Sequence, residues 1–307
     1  VGCVLVQDGR VVGRGWTQPG GRPHAERMAL DQAGADARGA TAYATLEPCA
    51  HKGRAGPCSD ALIAAGVARV VTALTDPDAR TAGQGHAKLR AAGIEVVEGV
   101  RTAEAAALQR GFLKRVAEGL PMVTLKLAAS LDGRIATASG ESQWITGEAA
   151  RRHVHLLRLQ HDAIMVGGGT ARADRPSLNV RGFGPVRQPV RIVVSDRPVQ
   201  GLAEEDANHG PLWQVSGDLR AALSGLAEQG LTRIFCEGGG MLAAQLLADD
   251  LVDELVFYSA GLVLGADARP AIGPLGLTKL AAAPRFELQG SFRLGPDLCQ
   301  HWTRLAS

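Results

Sequence analysis

One histidine, one carboxylate and two cysteines carry the strongest chemical signal in the chain. His24-Ala25-Glu26 is followed by Pro48-Cys49 and later by Pro57-Cys58. One imidazole and two thiolates form a donor set that zinc favours in a tetrahedron. Three protein ligands leave the fourth position to water, as in catalytic rather than structural sites. Zinc lowers the pKa of bound water to about 7, which makes hydroxide available at neutral pH. Glu26, at the head of a predicted helix, can accept the water proton and return it to a ring nitrogen and then to departing ammonia. A purely structural or decayed metal site would have no use for that carboxylate.

Order and context raise the signal further. His-x-Glu with a later Pro-Cys and a second Cys is the signature of zinc nucleobase deaminases. Nucleoside and nucleic-acid deaminases close the set with Pro-Cys-x-x-Cys, whereas here eight residues separate Cys49 from Cys58. The inserted loop brings His51, Lys52 and Arg54 beside the metal. Such donors suit an anionic substrate such as a sugar phosphate; the competing reading is a solvated basic loop. His51 is not counted as a ligand, because His24, Cys49 and Cys58 complete the set.

The second half holds a different kind of signal. Glu237-Gly238-Gly239-Gly240 follows one predicted strand and opens a helix, and Gly167-Gly168-Gly169 follows another. Glycine lets a phosphate approach the backbone, and a helix N-terminus favours its charge. Two such turns can line one cleft, although either alone could be an ordinary tight turn. His153, His155 and His161 lack cysteine or carboxylate support and read as surface residues. Cys3, Cys236 and Cys299 read as small apolar core residues.

The elements that position these residues follow from periodicity. Strands are predicted at 1–6, 11–15, 41–46, 68–74 and 94–97, with helices at 24–33, 59–65, 87–92 and 102–118. Asp8-Gly9 marks a hairpin turn, and Pro23 suits the first turn of its helix. After Gly119-Leu120-Pro121 a fresh pattern begins. It has strands at 122–127, 163–166, 190–194, 232–236 and 254–259, and helices at 147–160 and 241–247. This alternation predicts two α/β domains, 1–119 and 120–307.

With 307 residues, 46% of them apolar, the chain can bury two cores. A formal net charge of +2 without basic runs argues against a nucleic-acid partner. No apolar stretch reaches membrane-spanning length. Five cysteines without a disulfide framework point to the cytoplasm. Val1 already reads as a strand residue, so a preceding segment is expected.

Two strings, Pro23-His24-Ala25-Glu26 and Thr45-Leu46-Glu47-Pro48-Cys49 through Cys58, resemble the deaminase half of the bifunctional riboflavin-biosynthesis deaminase–reductase family. Lys126 through Arg134 and Gly140 through Thr146 resemble its reductase half. The resemblance spans nearly the whole chain in the same order. It implies a cytidine-deaminase-like α/β/α domain with zinc, followed by a dihydrofolate-reductase-like domain with NADPH. It implies deamination of a phosphoribosylaminopyrimidine and then reduction of its ribosyl chain. Ala128, Trp144, Thr170, Asp174, Ser195 and Gly239, Gly240, Met241, Leu242, Ala243, Ala244 and Gln245 would line the NADPH site. Ser142, Arg158, Leu178, Arg181, Glu237, Lys126, His51 and Arg54 would face the substrate, with Arg158 and Arg181 on its phosphate. Lys126 and Asp174 are the charged candidates for proton delivery, and Arg197 for a cofactor 2′-phosphate. A homo-oligomer acting on a small molecule is expected. The family carries an Asn-Pro ahead of the first strand here and often Thr-Pro at Ala55-Gly56, and many relatives have His at Trp16. The alternative is a nucleoside or nucleic-acid deaminase with an unrelated tail, which the cysteine spacing disfavours.

Overall fold

The computed structural model describes residues 1–51 and 56–305. The chain divides into two compact units, Val1–Glu118 and Gly119–Ser307. No helix among the described residues is long and apolar enough to cross a membrane.

The first unit begins with strands β1 (Gly2–Gln7) and β2 (Arg10–Trp16), joined by a tight turn at Asp8-Gly9. Both turn residues have positive φ, 49° and 75°, which matches the right-handed twist of a hairpin. Helix α1 (Ala25–Ala33), β3 (Thr41–Ala44), α2 (Cys58–Ala65), β4 (Arg69–Thr72), α3 (Gln84–Ala91), β5 (Glu95–Val97) and α4 (Thr102–Glu118) follow. The sheet order is β2-β1-β3-β4-β5, antiparallel at the hairpin edge and parallel from β3 onward. Leu5, Ala29, Leu62, Val70 and Leu89 share one core, so α1, α2 and α3 cover the same sheet face. Pro23 is not in the first turn of α1; it precedes the N-cap His24, whose backbone is extended.

The second unit holds β6 (Met122–Ser130), β7 (Arg134–Ala136), α5 (Glu148–Leu159), β8 (Ala163–Gly167), α6 (Gly168–Asp174), β9 (Val190–Val194), β10 (Leu212–Val215), α7 (Leu219–Glu228), β11 (Arg233–Cys236), α8 (Gly240–Ala248), β12 (Glu254–Ala260), β13 (Arg269–Pro270), β14 (Phe286–Leu294) and β15 (Asp297–Arg304). Eight strands form one sheet in the order β10-β9-β8-β11-β6-β12-β15-β14. The first six are parallel and the last two join antiparallel. The strands β6, β8, β9 and β11 are nearly continuous apolar runs, as expected of parallel strands covered on both faces. In open parallel sheets, ligands bind at the carboxyl ends of the strands. Both glycine turns lie at such ends, after β8 and after β11.

Candidate active sites

In the first unit, glycine decides where α1 sits. A Cβ at Gly13 would lie 2.2 Å from the Ala29 carbonyl oxygen, and one at Gly15 would lie 2.1 Å from that of Ala25. Only bare backbone in β2 admits the Ala25-Ala29-Ala33 stripe so closely. The contact fixes the start of α1, with His24 as N-cap and Glu26 in the first turn. Cys58 is the first residue of α2, and its backbone N–H donates to Cys49 Sγ at 3.3 Å. Ser59 anchors the Cys49 carbonyl by both its backbone N–H and its hydroxyl.

The three expected ligands converge. His24 Nδ1 stands 3.5 Å from Cys49 Sγ and 3.4 Å from Cys58 Sγ. Zinc–sulfur and zinc–nitrogen bonds of about 2.3 and 2.0–2.1 Å at a tetrahedral angle would set N···S near about 3.5 Å. The donor set and its spacing therefore fit zinc. Hydrogen bonds from Cys58 and from His24 lower the Cys49 thiol to about 4. The Cys58 thiol is raised because it donates to Cys49. Glu26 is 3% exposed and hydrogen-bonded to Cys58, and burial pushes its carboxyl above the usual glutamate range. A buried carboxyl inclined to hold a proton, next to a metal-type donor set, is suited to proton transfer.

The residue that sequence reasoning missed is Glu47. It is 2% exposed and accepts backbone N–H bonds from Asp76, Gly83, Gly85 and His86 at 2.8–3.1 Å. Its neighbours Pro48 and Cys49 are thereby tied to the start of α3. A carboxylate beside Pro-Cys gives no local hint of partners some 30–40 residues away. Gly85 completes the junction, since a Cβ there would lie 2.0 Å from the Pro48 carbonyl oxygen. Gly85→Ala is expected to cost about 1–3 kcal/mol and to speed zinc loss by displacing Cys49. Denaturation and zinc release to a chelator check this; an unchanged release rate would detach Glu47 and Gly85 from the metal site.

His51 sits at the metal loop, with Nδ1 3.1 Å from Thr81 Oγ1. Lys52 and Arg54 lie outside the described residues.

In the second unit, Glu237 follows β11 and Lys126 lies on the neighbouring β6. Arg158 of α5 grips Glu237 with two bonds, 2.6 and 3.1 Å, and donates a third to the Asn179 carbonyl at 2.7 Å. The Arg158 and Glu237 side chains are only 12% and 10% exposed. Arg158 thus joins Glu237 to the 179 turn, with two of its five N–H groups outside these three bonds. Burial pushes Glu237 upward, but Arg158, Lys126 and His155 outweigh it, and its carboxyl lies below the usual range. Burial lowers the Lys126 amine, against the pull of Glu237. Leu178 is buried with φ 48°, and Arg181 is exposed beyond it.

A cavity of about 580 Å³ opens beside the turn after β8. Its walls include Gly167–Gly169, Ser195 and, from α8, Met241, Leu242, Ala244 and Gln245. Arg172 and Arg197, the former not anticipated from sequence, line it too, and the Arg172 guanidinium donates to Ser195 Oγ at 3.1 Å. Thr170 Oγ1 accepts from Gly239 N–H at 3.1 Å, joining the two glycine turns. Gly240 begins α8, Ala243 is fully buried in the core, Ala128 is half-buried on β6 and Asp174 is exposed at the end of α6. Trp144 is 67% exposed, which excludes a core role. It lines a second cavity of about 460 Å³ with Asp297 and stacks under Arg151 at 4.7 Å. Ser142 is half-buried just before it. The three histidines are not free surface groups. His153, His155 and His161 bond to the Tyr258 hydroxyl, the Asn179 carbonyl and Thr124 Oγ1 respectively.

Comparison with known proteins agrees with both halves. Residues 1–74 match the cytidine and deoxycytidylate deaminase zinc-binding region, and residues 121–300 match the RibD C-terminal domain. The chain is 46% identical to riboflavin biosynthesis protein RibD of Escherichia coli K12, over 98% of this chain and 92% of that protein. It is 36% identical to the Aquifex aeolicus RibD, over 97% and 90%. Among solved structures, Acinetobacter baumannii RibD superposes with TM-score 0.88 at 38% identity, covering 99% of this chain and 92% of that one. The diaminohydroxyphosphoribosylaminopyrimidine deaminase/5-amino-6-(5-phosphoribosylamino)uracil reductase of Thermotoga maritima gives 0.85 at 31%, covering 99% and 91%. A deaminase with an unrelated tail does not account for the match over 121–300. With a zinc-binding deaminase region, a reductase domain behind it and relatives alike from end to end, the chain belongs to the RibD family of bifunctional deaminase–reductases of riboflavin biosynthesis.

Proposed function

We propose that residues 1–119 remove the ring 2-amino group of 2,5-diamino-6-(5-phosphoribosylamino)pyrimidin-4-one by hydrolysis. Residues 120–307 then reduce the ribosyl chain of the product, 5-amino-6-(5-phosphoribosylamino)uracil, to a ribityl chain with NADPH. The observation that carries the first step is the buried Glu26 against the converging His24, Cys49 and Cys58. His24, Cys49 and Cys58 would hold zinc, whose Lewis acidity makes water a nucleophile at neutral pH. Glu26 takes a proton from the attacking water and delivers it to the ring nitrogen; a second transfer lets ammonia leave. His51 would meet the anionic end of the substrate, and the sequence assigns Arg54 the same role.

In the second step NADPH supplies the hydride. The cavity walled by Gly167–Gly169, Ser195 and α8 has one glycine turn and the cationic Arg172 and Arg197 that a phosphorylated dinucleotide needs. Ala128, Trp144, Thr170 and Asp174 would flank it. Reduction also consumes a proton. Lys126, half-buried near Glu237 with a lowered amine pKa, is placed to give one; Asp174 is exposed at a helix end. Arg158 acts through Glu237, and Arg181 would meet the substrate phosphate, with Ser142 and Leu178 bounding the pocket. The reading includes a cytoplasmic homo-oligomer acting on a small molecule. It is tested by giving the full chain the diaminopyrimidine and NADPH. One ammonia and one NADP⁺ are expected per substrate, with ammonia first. NADPH oxidation without prior ammonia release would overturn the order, and ammonia without NADPH oxidation would remove the second reaction.

A further inference from the structure

We infer that the second unit carries a metal site of its own, built from His153, Cys299 and His301, for a thiophilic cation such as zinc. Two elements far apart in sequence supply the ligands. Cys299 and His301 are two apart on β15 and so project from the same face of the sheet, and His153 of α5 packs onto that face. One donor atom from each lies within 4.8 Å of the other two, the same relation that marks out His24, Cys49 and Cys58.

Three features distinguish this cluster from polar side chains that merely pack together. First, His301 Nε2 is buried and has no hydrogen-bond partner. Such an orphan calls for an explanation, and a bound ion is one. Second, the Tyr258 hydroxyl, 2.7 Å from His153 Nδ1, fixes that nitrogen and leaves the other as donor. Ligating histidines are usually oriented in this way, through an oxygen partner on the second ring nitrogen. Third, Cys299 is a free, fully buried thiol, hydrogen-bonded to the same tyrosine. Phe292 of β14 packs its ring edge-on to His153 at 5.3 Å and walls the cluster. Two nitrogens and one sulfur suit zinc or copper(I) and not magnesium or calcium. Bound there, the ion clamps α5 to the C-terminal β14–β15 hairpin.

Zinc titration of the chelated full-length protein against a chromophoric chelator tests the site. The wild type is expected to take two tight equivalents, and Cys299→Ser and His301→Gln one each. Ammonia release stays unchanged in both variants, because neither touches the first unit's set. In a Cys49→Ser/Cys58→Ser background, cobalt(II) is expected to give a thiolate charge-transfer band that the further change Cys299→Ser abolishes. A single equivalent in the wild type, or no cobalt–thiolate band in the double variant, would overturn the site. Loss of both equivalents in His301→Gln with the fold intact by circular dichroism would equally refute it, since the two sites would then not be separate.

Discussion

Glu26→Gln is expected to slow ammonia release by about 10²–10⁴-fold, the range of a lost general acid–base, while zinc content stays at the wild-type level. The change keeps shape and removes only the capacity to carry a proton. Glu26 is not one of the converging donors; it is buried beside them and hydrogen-bonded to Cys58. Glutamine at this place also avoids the cost of burying a lone carboxylate, so folding is expected to hold. Zinc analysis beside the ammonia assay separates the two roles. Simultaneous loss of zinc would make Glu26 a support of the metal site, and unchanged turnover would remove it from the chemistry.

Glu237→Ala is expected to have the largest effect on stability, because it leaves Arg158 buried without its counter-charge. Breaking a buried pair from one side costs about 3–5 kcal/mol, and here Lys126 loses its neighbour too. NADPH oxidation is expected to fall with it, whereas ammonia release belongs to the other unit and is expected to persist. The pH dependence has a defined sign. Glu237 is lowered in the folded chain, so its contribution is complete above the ordinary glutamate pKa, about 4.3. It is lost as pH falls below that value through the folded-state one. Chemical denaturation at neutral pH and at progressively lower pH should show the wild type converging on the variant. A constant difference down to strong acid would mean that the pair contributes nothing through its charge.

Much of the site was legible because metal chemistry restricts residue types. Few side chains other than His and Cys suit zinc, so His24, Cys49 and Cys58 could be picked out before any fold was known, and Glu26 by its place beside them. Parallel strands were legible as apolar runs, and 102–118 and 190–194 coincide with α4 and β9. The C-terminal hairpin β14–β15 went unread because most of its residues are exposed or half-buried and alternate weakly. Helix α7, capped by Asp218, was passed over within an Ala- and Gly-containing stretch that offered no chemistry. Glu47 was beyond reach, because its meaning lies in four backbone donors between residues 76 and 86. The partner of Arg158 was beyond reach for a related reason: guanidinium chemistry suits carboxylate and phosphate equally, and only the fold placed Glu237 against it.

The most direct test strips the full-length protein of metal, confirms the loss by elemental analysis, and follows ammonia release from the diaminopyrimidine before and after zinc is returned. Activity should vanish with the metal and recover with zinc in the wild type, and fail to recover in Cys58→Ser. Deamination that continues at full rate in metal-free protein would contradict the assignment of His24, Cys49 and Cys58 as the centre of the reaction.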